Sequence, residues 1–562
     1  MMHSPKWQVL IEMQSPNIIS NWHLKISQYA DDTCVFLKNF DQIPKCLSTI
    51  NIFSQISGLK LNLEKTEGLC LGTLDIENQQ ERYNIKWPHD PIRYLGIFIQ
   101  KEMHTCNAKN WTNKLEKMQK LIDSWRTRNL TLQGKVLIIK TLVLPKIIYP
   151  ASLLPIPEGC IKTINKMVYQ FIWGNRDRMK RNVIINSYEN GGLQMLDIES
   201  HFMALKAAWI PRIYNGSNDI WKSLPKYFIE KGIGGLLSTM TATSLDKLPH
   251  LKSLPDFYKD VVIGFTKSKN PPEIKSKEDL YKQILWGNRY LLAHGKCLYS
   301  KSFIAAKIYH VSDILQEDGK IREDVYHKLK DKKNYFRTMS LIQISLKAYK
   351  QFRYQTINVE TNQFNLKIDI NKAKCKHFYT ELVKQKLQRN TCIDKWMKHF
   401  NCQIKFPDLY HNKLQHNYEV KLADFNFKLL NGLLPTGSNL FKWKKRETAQ
   451  CIYCSYAVHD ECHMLHDCKE VLIVWNQLSK ILKVQIDFQI IVTGIPAETD
   501  QNKIITLICF LIYKKYIRDI NDNDNLTLKA YLKKELQICL EIYSGLRKGS
   551  ALTNIKSFID GL

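Results

Sequence analysis

The sequence predicts a mostly helical α+β chain whose first hundred residues carry short strands and turns. Three observations lead there. Residues 1–100 alternate short apolar runs with turn residues and hold one helical stretch. From about residue 105 the apolar positions recur at helical spacing. Four cysteines, Cys451, Cys454, Cys462 and Cys468, crowd into eighteen residues, which points to a small metal-bound module.

Composition narrows the function classes. The 562 residues are 44% hydrophobic and 11% aromatic, enough for sizeable cores and too apolar for a disordered tail. Lys and Arg number 82 against 53 Asp and Glu, leaving +29 at neutral pH. That excess favours a polyanion partner, because neutralising phosphates releases counterions. Outside the cluster, cysteines such as Cys70, Cys509 and Cys539 stand singly in apolar runs. They read as core thiols in a reducing compartment, not as a disulfide framework. The best apolar run, Ile504 to Tyr513, is ten residues long, well short of the ~20 a bilayer needs, so no membrane partner is expected. Met1 to Lys6 lacks the charged and apolar regions of a signal peptide, so the expected location is intracellular.

In chain order, Lys25 to Gln28 and Cys34 to Leu37 flank Tyr29-Ala30-Asp31-Asp32 as a hairpin. Residues 42–57 read as a helix stopped by Gly58, and Arg93 to Ile99 as a strand. Trp111, Leu115, Met118, Ile122 and Trp125 form one helical stripe. Lys114, Lys117 and Lys120 fall away from it on a basic face that is either solvated or meets phosphates. Trp111 and Trp125 lie on the stripe and read as core before they read as base-stacking rings. A second helix spans Leu132 to Tyr149, with Thr131 as cap and Pro145 as a kink, and a third spans Ile161 to Trp173. Residues 215–275 are richer in Gly, Pro and Ser and weakly periodic, which suggests a boundary. Residues 276–445 are mostly helical and Lys-rich, and the tail is helical again.

Adjacent carboxylates on a tight hairpin suit two Mg²⁺ ions, hard cations that prefer oxygen ligands. After Tyr29-Ala30-Asp31-Asp32 come Ser57-Gly58-Leu59-Lys60-Leu61-Asn62-Leu63-Glu64-Lys65-Thr66 and then Arg93-Tyr94-Leu95-Gly96-Ile97. In this order the series resembles the palm of a non-LTR (LINE-type) retrotransposon reverse transcriptase. The resemblance implies that Asp31 binds catalytic Mg²⁺, with Asp32 beside it. It implies that Lys65 lies near the nucleotide phosphates and that Tyr94, Leu95 and Gly96 grip the primer end. Leu130-Thr131-Leu132-Gln133-Gly134-Lys135, Leu144-Pro145, Tyr149, Phe171-Ile172-Trp173-Gly174 and Gly191-Gly192-Leu193 resemble the family's thumb. Trp286-Gly287-Asn288 and Leu429 to Thr436 resemble its C-terminal region. The expected domains are a partial palm at 1–104, a helical thumb at 105–214 and a linker-like region at 215–275. Beyond them lie a mostly helical region at 276–445, a zinc knuckle at 446–480 and C-terminal helices at 481–562.

The family's palm also uses a carboxylate on a separate upstream strand. The 28 residues before Tyr29 hold one acid, Glu12, and Val9 to Met13 resembles the helix that precedes the hairpin. The fingers and an endonuclease domain are likewise not recognised. The expectation is a fragment that starts inside the palm and is inactive alone. The partners expected are RNA, an RNA–DNA duplex and target DNA, with dNTPs as substrates of an intact enzyme. The alternative is a non-enzymatic nucleic-acid-binding relic; an unrelated zinc-dependent adaptor does not account for the palm series.

The cysteine cluster reads C-x₂-C-x₈-H-x₄-C through Cys451, Cys454, His463 and Cys468, a ligand set suited to structural Zn²⁺. His459, Cys462 and His466 compete for the third position. Similar knuckles end the family's proteins, and Glu461 and Trp475 match their layout. Lys442, Lys444, Lys445 and Arg446, with Trp443 among them, form a basic flank able to hold nucleic acid. Arg126 and Arg128 extend the thumb face in the same way. A ribonucleoprotein in the nucleus or cytoplasm follows from these partners.

Overall fold

Short β-rich runs in the first hundred residues pair into two small sheets. Strand β1 (Trp7–Ile11) lies between β3 (Asp32–Leu37) and β4 (Glu67–Cys70), parallel to both. Strand β2 (Ile26–Tyr29) pairs antiparallel with β3, placing Tyr29 opposite Asp32. The sheet order is β2-β3-β1-β4. The computed structural model describes residues 7–11, 26–29, 32–70, 82–174, 176–216, 219–233, 251, 254–269, 274–352, 372–414, 419–522, 526–542 and 550–562. Ala30, Asp31 and Glu12 lie outside the described residues.

Two local expectations change. Val9 to Ile11, expected in a helix, are strand. Val9 and Ile11 are β-branched, and strands on both sides supply the hydrogen-bond partners that a helix would find within itself. Arg93 to Ile99, expected as one strand, is a hairpin of β5 (Ile92–Tyr94) and β6 (Ile97–Ile99). Its two turn residues, Leu95 (φ 45°) and Gly96 (φ 83°), are both left-handed, which matches the twist of a two-residue hairpin. Leu95 has no glycine-like freedom, so the turn stores roughly 1 kcal/mol that its neighbours must offset.

The helix Gln42–Ser57 ends where the sequence indicated. Gly58 is left-handed at φ 74° and its N–H donates to Ser54 O at 3.0 Å. The expected helix 132–149 is interrupted. Leu132–Ile138 passes through a π-helical stretch, Ile139–Val143, and Pro145 opens a new helix, Pro145–Leu153. At that first helical position proline's missing N–H costs nothing.

The chain forms two compact units. The first comprises Met1–Leu121, Leu144–Ile164 and Phe202–Cys375, and the second Ile122–Val143, Asn165–His201 and Lys376–Leu562. In the first, Cys34, Leu69 and Ile92 pack with Phe36, Tyr94 and Ile99, joining the two sheets. Trp111 is buried, its Nε1 donating to Asn107 Oδ1 at 3.1 Å and Pro155 O at 3.2 Å, so it is core and not a stacking platform. Within the weakly periodic stretch 215–275, the helix Asp256–Lys267 buries Val261, Val262 and Phe265. That part of the stretch is packed core. Its apolar positions form one helical face, a local signal within a stretch otherwise rich in Gly, Pro and Ser.

The second unit is built around the helix Thr499–Asp522. Its run Ile504, Ile505, Leu507, Ile508, Leu511 and Ile512 is fully enclosed by Trp396, Phe425, Trp475, Phe488 and Phe558 among others. The run that stood out as the best apolar stretch is thus a central core helix. The helix Leu132–Ile138 starts with a double cap. Thr131 Oγ1 accepts from Gly134 N at 3.1 Å, and Asp424 Oδ1, from a helix far along the chain, accepts from Leu132 N at 2.7 Å.

In this unit Lys386 Nζ reaches Asp197 Oδ2 and Glu199 Oε2, both at 2.7 Å. Burial raises the Asp197 carboxyl, but hydrogen bonds from Lys386 and Ser200 outweigh it and hold it below its usual range. Burial lowers Lys386, and the two carboxylates more than reverse this, leaving it raised. A depressed carboxyl contributes stability above its unfolded value of about 3.9, lost as pH falls through the folded value. A raised lysine contributes below its unfolded value of about 10.4, lost as pH rises through the folded value. Lys386→Met is therefore expected to lower the melting temperature most between about pH 5 and 9. The deficit should shrink below about pH 4, and an equal deficit at pH 3 and pH 7 in melting scans would contradict it.

Candidate metal centre and nucleic-acid interface

The acidic hairpin and the β5–β6 turn meet in the first unit. Asp32 opens β3 and is half-buried. The Tyr94 hydroxyl lies 3.5 Å from Ser27 Oγ on β2, which brings the Tyr94-Leu95-Gly96 turn beside the hairpin. Burial lifts the Tyr149 hydroxyl, and the neighbouring Tyr29 and Tyr94 lift it further. A Cβ on Gly96 would stand 3.9 Å from the Tyr149 ring. Three tyrosines thus surround the turn that the sequence assigned to the primer end. Lys65 closes the short 3₁₀ turn Leu63–Lys65, its N–H donating to Asn62 Oδ1 at 3.1 Å, and its side chain is exposed.

The basic face on the helix Met103–Arg126 is wider than its sequence spacing suggests. Lys114 is half-buried and its ammonium is pushed below its ordinary value, first by burial and then by Lys117, Arg93 and Lys146. Lys117, Arg93 and Lys146 therefore stand close enough to repel Lys114. Such an arrangement is costly unless an anion relieves it. Lys117 and Lys120 are exposed. Arg126 pairs with Asp123 at 3.3 Å, and Arg128 lies over the Trp125 ring at 4.4 Å. Arg93 joins the patch from the β5 strand and Lys146 from the helix after Pro145. Neither was legible as part of it from spacing.

In the second unit the structure brings together Cys451, Cys454, His463 and Cys468, whose ligand atoms all lie within 4.8 Å of one another. Sγ of Cys468 is 4.0 Å from that of Cys451 and 3.9 Å from that of Cys454, and Cys454 Sγ is 3.2 Å from His463 Nε2. A tetrahedron with bonds of about 2.3 Å to sulfur has edges near 3.8 Å, so the four donors fit one tetrahedral ion. The Cys451 thiol is pushed down, first by the Cys468 thiol and, against the cost of burial, by hydrogen bonds from His459 and from backbone N–H groups. Among these, Tyr453 N lies 3.4 Å from its sulfur. Local structure makes the placement. A tight turn from Cys451 to Tyr456 presents the first two thiols, closed by Cys451 N to Tyr456 O at 2.9 Å. A π-helical turn, His463–Asp467, presents the histidine and leads into Cys468 at the start of the helix Lys469–Leu482.

The rival third ligands are each engaged with other groups, His459 with the Cys451 thiol among them. His459 Nδ1 accepts from Gly437 N at 3.0 Å and its ring stacks on Tyr516 at 4.4 Å. Cys462 donates to Asp467 at 3.2 Å, and His466 Nδ1 is 2.7 Å from Asp467. Trp475 Nε1 donates to Leu465 O at 2.7 Å, which ties the π turn to the core. Glu461 is held by Lys395 and Asn439, each at 3.2 Å. Lys442, Lys444 and Lys445 are exposed beside the cluster.

The sequence pattern of the reverse transcriptase (RNA-dependent DNA polymerase) family matches residues 6–99, the stretch that holds both small sheets. The chain is also 22% identical over 243 residues to the uncharacterized 149 kDa protein of transposon TX1 from Xenopus laevis. Residues 6–99 are a reverse transcriptase region, in a chain that resembles a transposon protein over part of its length. The similarity to the transposon protein takes in 42% of this chain and 18% of that protein's length.

Within the reverse transcriptase region, Asp32, Tyr94, Leu95 and Gly96 come together on two neighbouring hairpins, while Asp31 lies outside the described residues. Lys65 stands on its own turn. The quoted motifs farther along the chain are packing devices. Trp286 is buried and donates to Ile308 O at 2.6 Å, Asn288 is buried against Gln283, and Thr436 caps the helix Gly437–Lys442. The sequence did not indicate Arg93 and Lys146 beside Lys114, because each belongs to a different element and only the tertiary fold juxtaposes them.

Proposed function

We propose that this chain is a nucleic-acid-holding part of a retrotransposon reverse transcriptase and does not polymerise DNA alone. One observation carries the second half of that statement. The strand beside β3 is Trp7-Gln8-Val9-Leu10-Ile11, and it has no carboxylate. Two-metal phosphoryl transfer needs carboxylates on adjacent strands to clamp both ions. On this reading Asp31 and Asp32 supply oxygen ligands for Mg²⁺, with no partner carboxylate on β1. On the same reading Lys65 would lie near a nucleotide's phosphates and the Tyr94-Leu95-Gly96 turn would grip a primer end.

The same reading gives the Cys451, Cys454, His463 and Cys468 cluster a structural Zn²⁺, in a CCHC knuckle. Three thiolates and one imidazole suit that ion and leave no open position for chemistry. The cations around Lys114, with Lys120, Arg126 and Arg128, and those beside the knuckle, Lys444 and Lys445, meet the phosphates of an RNA–DNA duplex and of target DNA. A ribonucleoprotein in the nucleus or cytoplasm is the setting this implies. The test is primer extension on purified protein with Mg²⁺ and then Mn²⁺. No template-dependent product is expected, and synthesis abolished by Asp31→Ala would overturn the proposal. A non-enzymatic relic shares the missing carboxylate, and an upstream reading frame interrupted by stop codons would favour it.

A further inference from the structure

A second concentration of positive charge lies in the second unit, apart from the helix that carries Lys114. Its centre is Arg178, whose guanidinium lies 4.3 Å above the Trp443 ring. Arg178 is exposed, on a loop that also carries Arg176, Lys180 and Arg181. Of these, Arg181 is bound to Asp177 at 2.8 Å. Lys135 sits beside Arg178 and Lys428. Its ammonium is lowered first by burial and then by Lys428, with Asp424 opposing and Arg178 adding to the repulsion. Lys135 Nζ is fixed by Ile172 O at 3.1 Å, and Lys428 by Asp424 at 2.6 Å. Lys444 and Lys445 follow Trp443 directly and are exposed.

We propose that Arg178, stacked on Trp443 and backed by Lys135 and Lys428, is a phosphate clamp for a nucleic-acid strand. Four segments distant in sequence converge on it: the helix Leu132–Ile138, the loop after Trp173, the helix Val420–Leu430 and the turn before the cysteine cluster. A guanidinium held 4.3 Å over an indole ring gives up rotational freedom before any ligand arrives. Its N–H edge stays available, and that edge matches two oxygens of a phosphate. Asp424 offsets the charge of Lys428, and Lys135, fixed by Ile172 O, and Arg178 leave a net positive field that favours an anion. Trp443 acts through Arg178 and is a positioning residue. A backbone phosphate is favoured over a free anion because the cations extend along four segments, and a strand presents a row of charges to match.

The inference deepens the nucleic-acid reading and rests on it. The experiment uses the full zinc-loaded chain and a fluorescent, unstructured 20-nucleotide RNA, with anisotropy measured across a salt series. Arg178→Ala is expected to weaken binding about fivefold to tenfold near 0.1 M salt and to flatten the salt slope by about 0.7, one phosphate contact. Arg178→Lys keeps the charge and loses the planar stack, so it should weaken binding with little change in slope. Trp443→Leu should behave like Arg178→Lys, whereas a role in folding alone would lower the melting temperature and leave binding by the folded fraction unchanged. Wild-type affinity in Arg178→Ala, while Lys114→Glu with Lys117→Glu abolishes binding, overturns this clamp alone. No salt-dependent binding by the wild type overturns the clamp and the nucleic-acid reading together. Weakening by Arg178→Ala that inorganic phosphate reproduces at equal concentration of phosphate groups would show a free-anion site and also overturn it.

Discussion

Cys468→Ser is expected to leave the protein without bound zinc and to unfold much of the second unit. Wild type should carry about one zinc per chain by metal analysis, and the variant close to none. The reason lies in where the site is built. Cys451 and Cys468 are buried members of the same apolar core as Met464, Leu465, Val471 and Trp475. Between Cys451 and Cys468 the chain forms one tight turn, a loop and a π turn, whose hydrogen bonds run mostly between near neighbours. Structural zinc in small fingers has an apparent binding free energy of about 10–16 kcal/mol, and that energy is folding energy. Here a large core shares the task, so the expected loss is smaller but still dominates any single side-chain change. Trp475 would lose its anchor at Leu465 O as the π turn relaxes. Because thiols must lose protons to bind the ion, occupancy should fall as pH drops. A wild-type chain that is fully folded and metal-free after purification in zinc would remove the basis for this expectation.

Replacing Lys114, Lys117 and Lys120 together by glutamate is expected to weaken binding to an RNA–DNA duplex by a hundredfold or more near 0.1 M salt. Three like charges become three opposing ones, lowering the net charge by six units from +29. If each lysine meets one phosphate, the slope of log affinity against log salt should flatten by about 2 to 3. Arg93 and Lys146 would remain beside the altered face, so some salt-dependent binding should survive. The substitution also relieves the repulsion that lowers Lys114, so the helix should not lose stability. Circular dichroism and melting separate the two effects. Unchanged affinity and slope in a normally folded variant would show that this face is only solvated.

Several features were legible because they are local. The helix Gln42–Ser57 with its Gly58 stop, the hairpin about residues 30–31 and the buried stripe through Trp111 and Met118 each follow from periodicity and turn chemistry within one segment. The C-x₂-C-x₈-H-x₄-C spacing marked the four residues that converge. Spacing could not choose among His459, Cys462, His463 and His466, since all lie within reach of one loop. The choice depends on what else each side chain can bond: Gly437 and Tyr516 hold His459, and Asp467 holds Cys462 and His466.

By itself, then, the sequence determined a basic, mostly helical chain with an acidic hairpin, the residues of a reverse transcriptase region and a thiol-rich ligand set. These are properties of composition and of neighbours a few residues apart. Only the tertiary structure decided that residues 7–11 are strand, that Leu95 takes a left-handed turn, and that Asp424 caps Leu132. It also decided that Arg93 and Lys146 crowd Lys114 and that Arg178 lies on Trp443. Each of these depends on a partner supplied from a distant segment. A strand needs neighbours, a cap needs an acceptor, and a cation patch needs several elements to converge. Such energies arise only when the chain has closed on itself, so no window of sequence contains them.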